Sequence, residues 1–200
     1  MPAFDAAKLR SALADCIIGR EIVVLEETTS TNDSVLQMTN ATTPEGLVVF
    51  AEHQTAGRGQ HGNRWDSVTH KGLWFSILLR PKIEIGESAR LTTWTAETIA
   101  NTIREQFSLK AKVKPPNDVY VDGRKVAGVL VEMRAQKNAP HLAIAGIGIN
   151  VNHAPEDFPE EIRSRATSLA MTMNRQVNRE KLAITLLRDL DRTYCASFGL

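Results

Sequence analysis

Apolar residues recur along the chain with two periods, and each period predicts its own kind of secondary structure. Helical spacing predicts helices over residues 5–18, 88–107 and 179–194, and a short one ending near Met38. Short apolar or alternating runs predict strands over residues 21–25, 47–51, 73–79, 109–114, 119–121, 124–133 and 141–151. Asp122-Gly123 joins two of these runs and is a strong β-hairpin signal. We therefore expect an α+β fold in which helices pack on a mixed, mostly antiparallel sheet.

Length and composition indicate one globular domain over residues 1–200. The chain is 42% hydrophobic, and its 24 basic and 23 acidic residues leave a net charge of +1. This balance argues against a DNA-binding protein whose affinity depends on overall charge. No run of 18 apolar residues predicts a membrane span, and the charged first ten residues are unlike a signal peptide. Cys16 and Cys195 lie far apart without a metal-binding pattern, so we expect a reduced, cytoplasmic protein.

A polar, glycine-rich loop occupies residues 53–71, between two predicted strands. It contains the spacing G-x-G-x-x-G, but the next apolar run is a strand instead of a helix, which argues against a dinucleotide-binding fold. Arg58 and Arg64 lie in the loop, and no acidic residue occurs between Glu52 and Asp66. Glycine backbone N–H groups and guanidinium groups together are typical of an anion-binding loop. A plain surface loop is the alternative.

A second candidate segment is Lys-Pro-Pro-Asn-Asp at residues 114–118. Its prolines predict a rigid turn that makes Asp118 a candidate Mg²⁺ ligand and Lys114 a candidate phosphate partner, although such a turn can also be purely structural. Glycines inside the following strands, at Gly128, Gly146 and Gly148, indicate close approach of a ligand or another chain segment. The histidines lack metal-site spacing, and no G-x-S-x-G nucleophile motif occurs. The residues alone therefore predict a phosphate-handling site.

Five segments resemble the biotin protein ligases in order and spacing. They are Ser-Thr-Asn at 30–32, the loop at 57–65, Lys-Pro-Pro-Asn-Asp at 114–118, Lys-Val-Ala-Gly-Val-Leu-Val-Glu at 125–132, and Gly-Ile-Gly-Ile-Asn at 146–150. The resemblance runs from about residue 25 to the end of the last helix. It implies a catalytic domain that resembles class II aminoacyl-tRNA synthetases. It also implies a reaction in which biotin and ATP form biotinyl-5′-AMP, from which the biotinyl group passes to a lysine of a carboxylase's biotin carboxyl carrier protein.

The resemblance also implies roles for individual residues. Arg58 and Lys125 would stabilise the charge of the reaction, and Asp118 would bind Mg²⁺. The residues implied for biotin are Ser30, Thr31, Asn32, Gln54, Gly57, Arg58, Gly59, Trp65, Lys125, Gly128 and Gly148. Those implied for ATP and the adenylate are Arg58, Gln60, His61, Gly62, Asn63, Arg64, Lys114, Asn117, Lys125 and Asn150.

The sequence departs from the family pattern at three places. Gln60 replaces the second arginine of the loop, Pro115 replaces a tryptophan, and the chain ends at Leu200, where relatives usually continue into a small β-barrel. We expect a single catalytic domain without that barrel and without the DNA-binding domain of the repressor branch. Two other functions stay open: a lipoate or octanoate ligase or transferase of the same fold, and a non-catalytic biotin- or nucleotide-binding module. Association of two copies through a sheet edge into a homodimer is also left open.

Overall fold

A seven-stranded sheet forms the centre of the protein in the computed structural model, which describes residues 4–40, 42–136 and 141–198. The strand order is β1-β2-β3-β7-β6-β5-β4, and among the described strands only β1 and β2 pair in parallel. The mixed, mostly antiparallel sheet predicted from the sequence is thereby confirmed. Its strands are β1 (Glu21–Thr28), β2 (Leu47–Gln54), β3 (Gly72–Leu79), β4 (Ala111–Lys114), β5 (Asp118–Val121), β6 (Arg124–Arg134) and β7 (Leu142–Asn150).

Helices cover both faces of this sheet unequally. The large core lies on the face that packs against α1, α3 and α6, where Phe50 and Phe75 are fully buried. On the opposite face a smaller apolar cluster joins Val35 of α2 to Val49 and Ile144 of the sheet. Because α2 is short, it leaves part of this second face uncovered. The helices are α1 (Ala6–Ala12), α2 (Thr31–Met38), α3 (Ser88–Phe107), α4 (Glu160–Arg163), α5 (Leu169–Met173) and α6 (Arg179–Phe198).

The first helix is shorter than its apolar spacing predicts. It ends at Ala12, whereas the prediction continued to residue 18. The backbone N–H groups of Ile17 and Ile18 both donate to the Asp191 carboxylate at 2.8 Å, so a side chain from α6 replaces the helical acceptors. The helical spacing predicts Ile17 as a core position, but in this non-helical segment Ile17 is only partly buried and the neighbouring Ile18 is fully buried. The short helices α4 and α5 have too few residues for periodicity to reveal them.

A buried ion pair joins the strand before the glycine-rich loop to the last helix. Glu52 of β2 is fully buried, and its Oε2 lies 2.8 Å from Arg179 Nη1 at the start of α6. Arg179 also donates to the carbonyl of Gly72, and the backbone N–H of Phe4 donates to Glu52 Oε1. Burial acts to raise the pKa of Glu52, but the hydrogen bond and charge of Arg179 lower the pKa overall. Glu52 is therefore held ionised beneath the start of β3.

The described residues form no helix that is both long and apolar enough to cross a bilayer.

Removal of the buried cation should strongly destabilise the fold. We expect Arg179→Met to lower the free energy of unfolding by about 3–5 kcal/mol, because it leaves the Glu52 carboxylate buried without its partner. The matched control is Arg192→Met on the same helix, since Arg192 is exposed and pairs with Asp189 at 3.1 Å. This control should cost less than about 1 kcal/mol. Urea denaturation of both variants measures the difference, and equal losses would contradict the assignment.

Candidate ligand-binding site

A cavity of about 310 Å³ opens on the sheet face that α2 leaves partly uncovered. It lies between the start of α2, the glycine-rich loop, and the neighbouring strands β6 and β7. Most of the residues predicted from the sequence come together here, although they belong to five separate segments of the chain. Those lining it are Ser30, Thr31, Asn32, Gln54, Arg58, Gly59, Gln60, His61, Asn63, Arg64, Trp65, Asn117, Asp118, Lys125, Gly128 and Gly148.

Four predicted residues lie outside this cavity. Gly57 and Gly62 shape the loop: the Gly57 carbonyl accepts from the Trp65 N–H at 2.9 Å, and Gly62 has a φ of 78°. Lys114 is exposed, with its Nζ 5.4 Å from the centroid of the Tyr120 ring. Asn150 is buried and lines a neighbouring cavity. Pro115, one of the departures from the family pattern, is exposed and also does not line this cavity, whereas Pro116 does.

The glycine-rich loop folds back on itself as an irregular hairpin. Inside it the Gly59 N–H donates to the Asn63 carbonyl at 2.7 Å. His61, at the tip, has a φ of 57°, in the left-handed region. No α-helix opens after the glycines of this described segment, which contains only a single 3-10 turn at Gln60–Gly62, in agreement with the argument against a dinucleotide fold. The hairpin returns the chain so that Trp65 points into the cavity.

Two glycines that face each other across β6 and β7 make room for the Trp65 indole. Gly128 and Gly148 are paired in the sheet register. A Cβ at Gly148 would lie 2.5 Å from Trp65 Cε2, and one at Gly128 would lie 2.8 Å from Trp65 Cζ3. The interior glycines of these strands therefore serve the close approach of a side chain, which is the physical origin of the signal seen in the sequence.

The closed end of the cavity is polar, neutral and buried. Gln54 Oε1 accepts from the backbone N–H of Thr31 at 2.9 Å and from its hydroxyl at 3.2 Å. Ser76 Oγ lies 2.7 Å from Thr31 Oγ1 and 2.6 Å from Asn32 Oδ1, so its single proton can serve only one of them at a time. Gly146 has no side chain where Asn32 Oδ1 approaches the sheet. Ser76 was not predicted from the sequence, although a lone polar residue within an apolar strand could have revealed it.

The three Arg and Lys side chains that line the cavity are all paired with carboxylates, and Arg64 Nε lies 3.0 Å from Asp66 Oδ1. Arg58 makes two contacts with Asp33, at 2.6 and 2.8 Å, and its Nη2 lies 3.4 Å from Glu132 Oε2. The hydrogen bond from Arg58 lowers the pKa of Asp33. Lys125 Nζ lies 2.6 Å from Asp118 Oδ1 and 5.3 Å from the centroid of the Trp65 ring. Asp33 and Glu132 were not predicted as partners, because no local pattern connects positions so far apart in the chain.

A second cavity of about 340 Å³ adjoins the first. The two share Asn63, Arg64, Trp65, Asp118 and Lys125, so the Lys125–Asp118 pair stands at their junction. The second cavity is also lined by His153 and Phe158, whose rings stack with centroids 5.1 Å apart. Burial lowers the pKa of His153 to about 4, so this imidazole is neutral at pH 7.

A metal ion fits this site only if a ligand supplies most of the donor atoms. Among the described residues no group of three or more His, Cys, Asp or Glu side chains is arranged to hold a metal. Asp118 offers one carboxylate at the junction of the cavities, where it already pairs with Lys125. Mg²⁺ commonly binds through one or two carboxylates together with substrate phosphates.

Residues 24–150 match the profile described as the biotin/lipoate A/B protein ligase family. The chain belongs to this family. Among curated relatives, it is 33% identical over 188 residues to the bifunctional ligase/repressor BirA of Bacillus subtilis, with 94% of this chain and 58% of that protein covered. It is 31% identical over 199 residues to the biotin–[acetyl-CoA-carboxylase] ligase of Mycobacterium tuberculosis, with 95% and 70% covered.

Solved structures of the family share the fold. The biotin protein ligase of Aquifex aeolicus in complex with biotin and ATP superposes with a TM-score of 0.73 at 32% identity, covering 88% of this chain and 72% of that one. A point mutant of the same ligase in complex with biotin gives a TM-score of 0.72 at 32% identity, covering 88% and 71%. The chain spans little more than half the length of the BirA relative, and the family description includes lipoate as well as biotin ligases.

A methyl group at Gly148 should displace Trp65 from its place on the sheet. We expect Gly148→Ala to shift tryptophan fluorescence to longer wavelength and to make one tryptophan more accessible to iodide, because the new Cβ would overlap the indole. Gly86→Ala is the matched control, since nothing lies within 4 Å of a Cβ at that position. Unchanged spectra for Gly148→Ala would show that the indole is not held against the strand.

The buried, neutral His153 should make stability fall in mild acid. Its folded pKa of about 4 lies below the ordinary value of 6.5, so between these two pH values the unfolded chain binds a proton that the folded chain does not. We expect its contribution, of order 3 kcal/mol, to be complete above pH 6.5 and lost as the pH falls towards 4. Urea denaturation from pH 7 to pH 4.5 should show a weaker pH dependence for His153→Gln than for wild type. The exposed His61→Gln control should retain the wild-type dependence.

Proposed function

We propose that this protein is an ATP-dependent biotin–protein ligase. It would activate biotin as biotinyl-5′-AMP and transfer the biotinyl group to a lysine of a biotin carboxyl carrier protein. The observation that carries the proposal is the arrangement of the first cavity, whose buried, neutral, hydrogen-bonding end adjoins a lysine at the junction with a second cavity. The names of the relatives and of the superposed Aquifex aeolicus complex support the same activity.

The closed end of the first cavity favours biotin over an aliphatic acid. The ureido ring of biotin is uncharged and carries both donors and acceptors. Thr31, Asn32 and Gln54 provide neutral donors and acceptors there, and the buried Ser76 contacts Thr31 and Asn32 from behind the lining. These groups already hydrogen-bond within the protein, but their remaining lone pairs and N–H groups could serve a ureido ring, whereas an octanoyl or lipoyl chain would bury them without adding any hydrogen bond. We therefore assign this chain to the biotin branch of its family.

The proposed chemistry needs positive charge but no nucleophilic side chain. The biotin carboxylate attacks the α-phosphorus of ATP, an O–P bond forms, the bond to the β-phosphate oxygen breaks, and pyrophosphate leaves. Lys125 would stabilise the negative charge that develops on the α-phosphate at the junction of the cavities. Arg58 would stabilise the negative charge of the biotin carboxylate. In the second step the acceptor lysine amine attacks the acyl carbon and loses a proton, and AMP leaves.

We place the nucleotide between the loop and the second cavity. Gln60, His61, Asn63 and Arg64 would face the phosphates from the loop, while Asn117 and Asn150 would contact the nucleotide from the sheet. Mg²⁺, bound mainly by phosphate oxygens, would neutralise phosphate charge, and Asp118 is the carboxylate available to hold it. Lys114 lies outside both cavities, beside Tyr120 of the second, and its contact with ATP stays a prediction.

The proposed partner is a carrier protein, because relatives are named for acetyl-CoA carboxylase. Both cysteines of the chain are free thiols, which fits a reducing compartment, and we place the reaction in the cytoplasm.

An adenylation assay tests the proposed function directly. The protein is mixed with biotin, Mg²⁺ and ATP labelled at the α-phosphate, with and without a purified carrier domain. Labelled biotinyl-AMP should form without the carrier, and biotinylated carrier should appear when it is added. Binding of biotin without any labelled adenylate would indicate a binding module instead. Calorimetric titrations with biotin, lipoate and octanoate test the branch, and tighter binding of lipoate would contradict the biotin assignment.

Replacement of Lys125 should reduce the rate more than the affinity. We expect Lys125→Ala to lower kcat for adenylation by about 10²–10³-fold, because its charge is needed most as negative charge develops. Lys112→Ala provides the control, since Lys112 is an exposed lysine on β4 that does not line either cavity. A Lys125→Ala enzyme with wild-type kcat would refute the role assigned to this residue.

A further inference from the structure

We propose that Asp33 is a positioning residue whose carboxylate fastens Arg58, and with it the glycine-rich loop, over the closed end of the first cavity. The contact itself stands on the structure alone. Its effect on a ligand rests on the proposed function, because biotin is the ligand assigned to that end.

The Asp33–Arg58 pair has the geometry of a strong and directional contact. Nη1 of Arg58 lies 2.6 Å from Oδ2 of Asp33, and Nη2 lies 2.8 Å from Oδ1, so the guanidinium and carboxylate meet fork to fork. Asp33 occupies the first turn of α2, where the helix dipole favours a negative charge. The carboxylate therefore has a fixed position from which it can hold a mobile partner.

Arg58 is the polar link between the outer part of the loop and the rest of the protein. The base of the loop is fixed by backbone hydrogen bonds from Thr55 and Ala56 to the end of β1 and the residue after it. Within the part of the chain that the structure describes, the other polar contacts of residues 57–64 stay inside the loop or reach only the adjacent Asp66. Without the Arg58 contacts, only the packing of Trp65 would hold the loop down.

A second carboxylate connects this link to the polar end of the cavity. Glu132 Oε2 accepts from Asn32 Nδ2 at 2.6 Å and lies 3.4 Å from Arg58 Nη2. Asn32 in turn belongs to the group that we assign to the ureido ring. Asp33 makes the shorter, two-point contact, so it carries the positioning role, and Glu132 links the loop to the ligand end.

The pair affects ligand retention more than it affects folding. Both side chains are substantially exposed, at 40% for Arg58 and 36% for Asp33, and such pairs contribute little to stability. The loop, however, must open for a ligand to leave the closed end. Removal of the carboxylate's charge should therefore raise the dissociation rate of biotin while the chemical step at Lys125 keeps its rate.

The test compares Asp33→Asn and Asp33→Glu with wild type in the full chain. The matched control is Glu87→Gln, which removes the carboxylate of another exposed pair, with Arg90, outside both cavities. Loop closure is measured without ligand, as the rate of native-state trypsin cleavage after Arg58 and Arg64 mapped by mass spectrometry. Ligand retention is measured as the biotin dissociation rate, and catalysis as kcat and KM for adenylation.

We expect Asp33→Asn to raise both the cleavage rate and the biotin dissociation rate by about 5–10-fold, with KM for biotin rising while kcat stays within about threefold. Asp33→Glu should restore most of the wild-type behaviour, and Glu87→Gln should match wild type. Unchanged cleavage and dissociation in Asp33→Asn would overturn the proposal, as would a large loss of kcat without faster cleavage. If wild type binds no biotin, the proposed function fails, and the cleavage rates still decide whether Asp33 holds the loop.

Discussion

The site depends on the absence of side chains from one patch of the sheet. On each face of a sheet, every second residue normally projects a side chain. These side chains would fill the space between the sheet and the helix and loop that cover it. Gly128, Gly146 and Gly148 remove that layer where β6 and β7 pair. The space is taken partly by the Trp65 indole and by the Asn32 amide, and the remainder is the cavity. The positions of the loop and of α2 both follow from these contacts.

Charge is distributed in the site as pairs. Arg58 pairs with Asp33 and Glu132, and Lys125 pairs with Asp118. In the protein without ligands, the positive charge of each side chain is therefore balanced by neighbouring carboxylates. A sequence with a net charge of +1 therefore concentrates basic residues at the site without leaving them unpaired. An anionic ligand has to compete with these carboxylates or bring its own cation. The carboxylates thus set how readily the two cations can change partners.

The sequence predicted those parts of the structure that depend on local pattern. Alternation and apolar runs located all seven strands, and the interior glycines marked the floor of the cavity before any neighbour was known. The end of α1 could not be predicted, because Asp191 supplies the acceptor for the N–H groups of Ile17 and Ile18 from a helix that lies far along the chain. Asp33 and Glu132 were missed for the same reason, since their partner Arg58 is distant in sequence and near only after folding. Ser76 was missed although its polarity within β3 was visible.

The two ends of the site have different physical requirements, and the fold separates them. Recognition of an uncharged ring needs buried neutral groups whose positions are fixed, and Thr31, Gln54 and Ser76 fix one another through hydrogen bonds. Phosphate chemistry needs charges that can change partners, and Arg58 and Lys125 are only partly buried. Partial exposure weakens each ion pair, so replacement of the carboxylate by a phosphate group costs little free energy there. The same exchange at the fully buried Glu52–Arg179 pair would be prohibitive, which explains why that pair can stabilise the fold but cannot handle substrate.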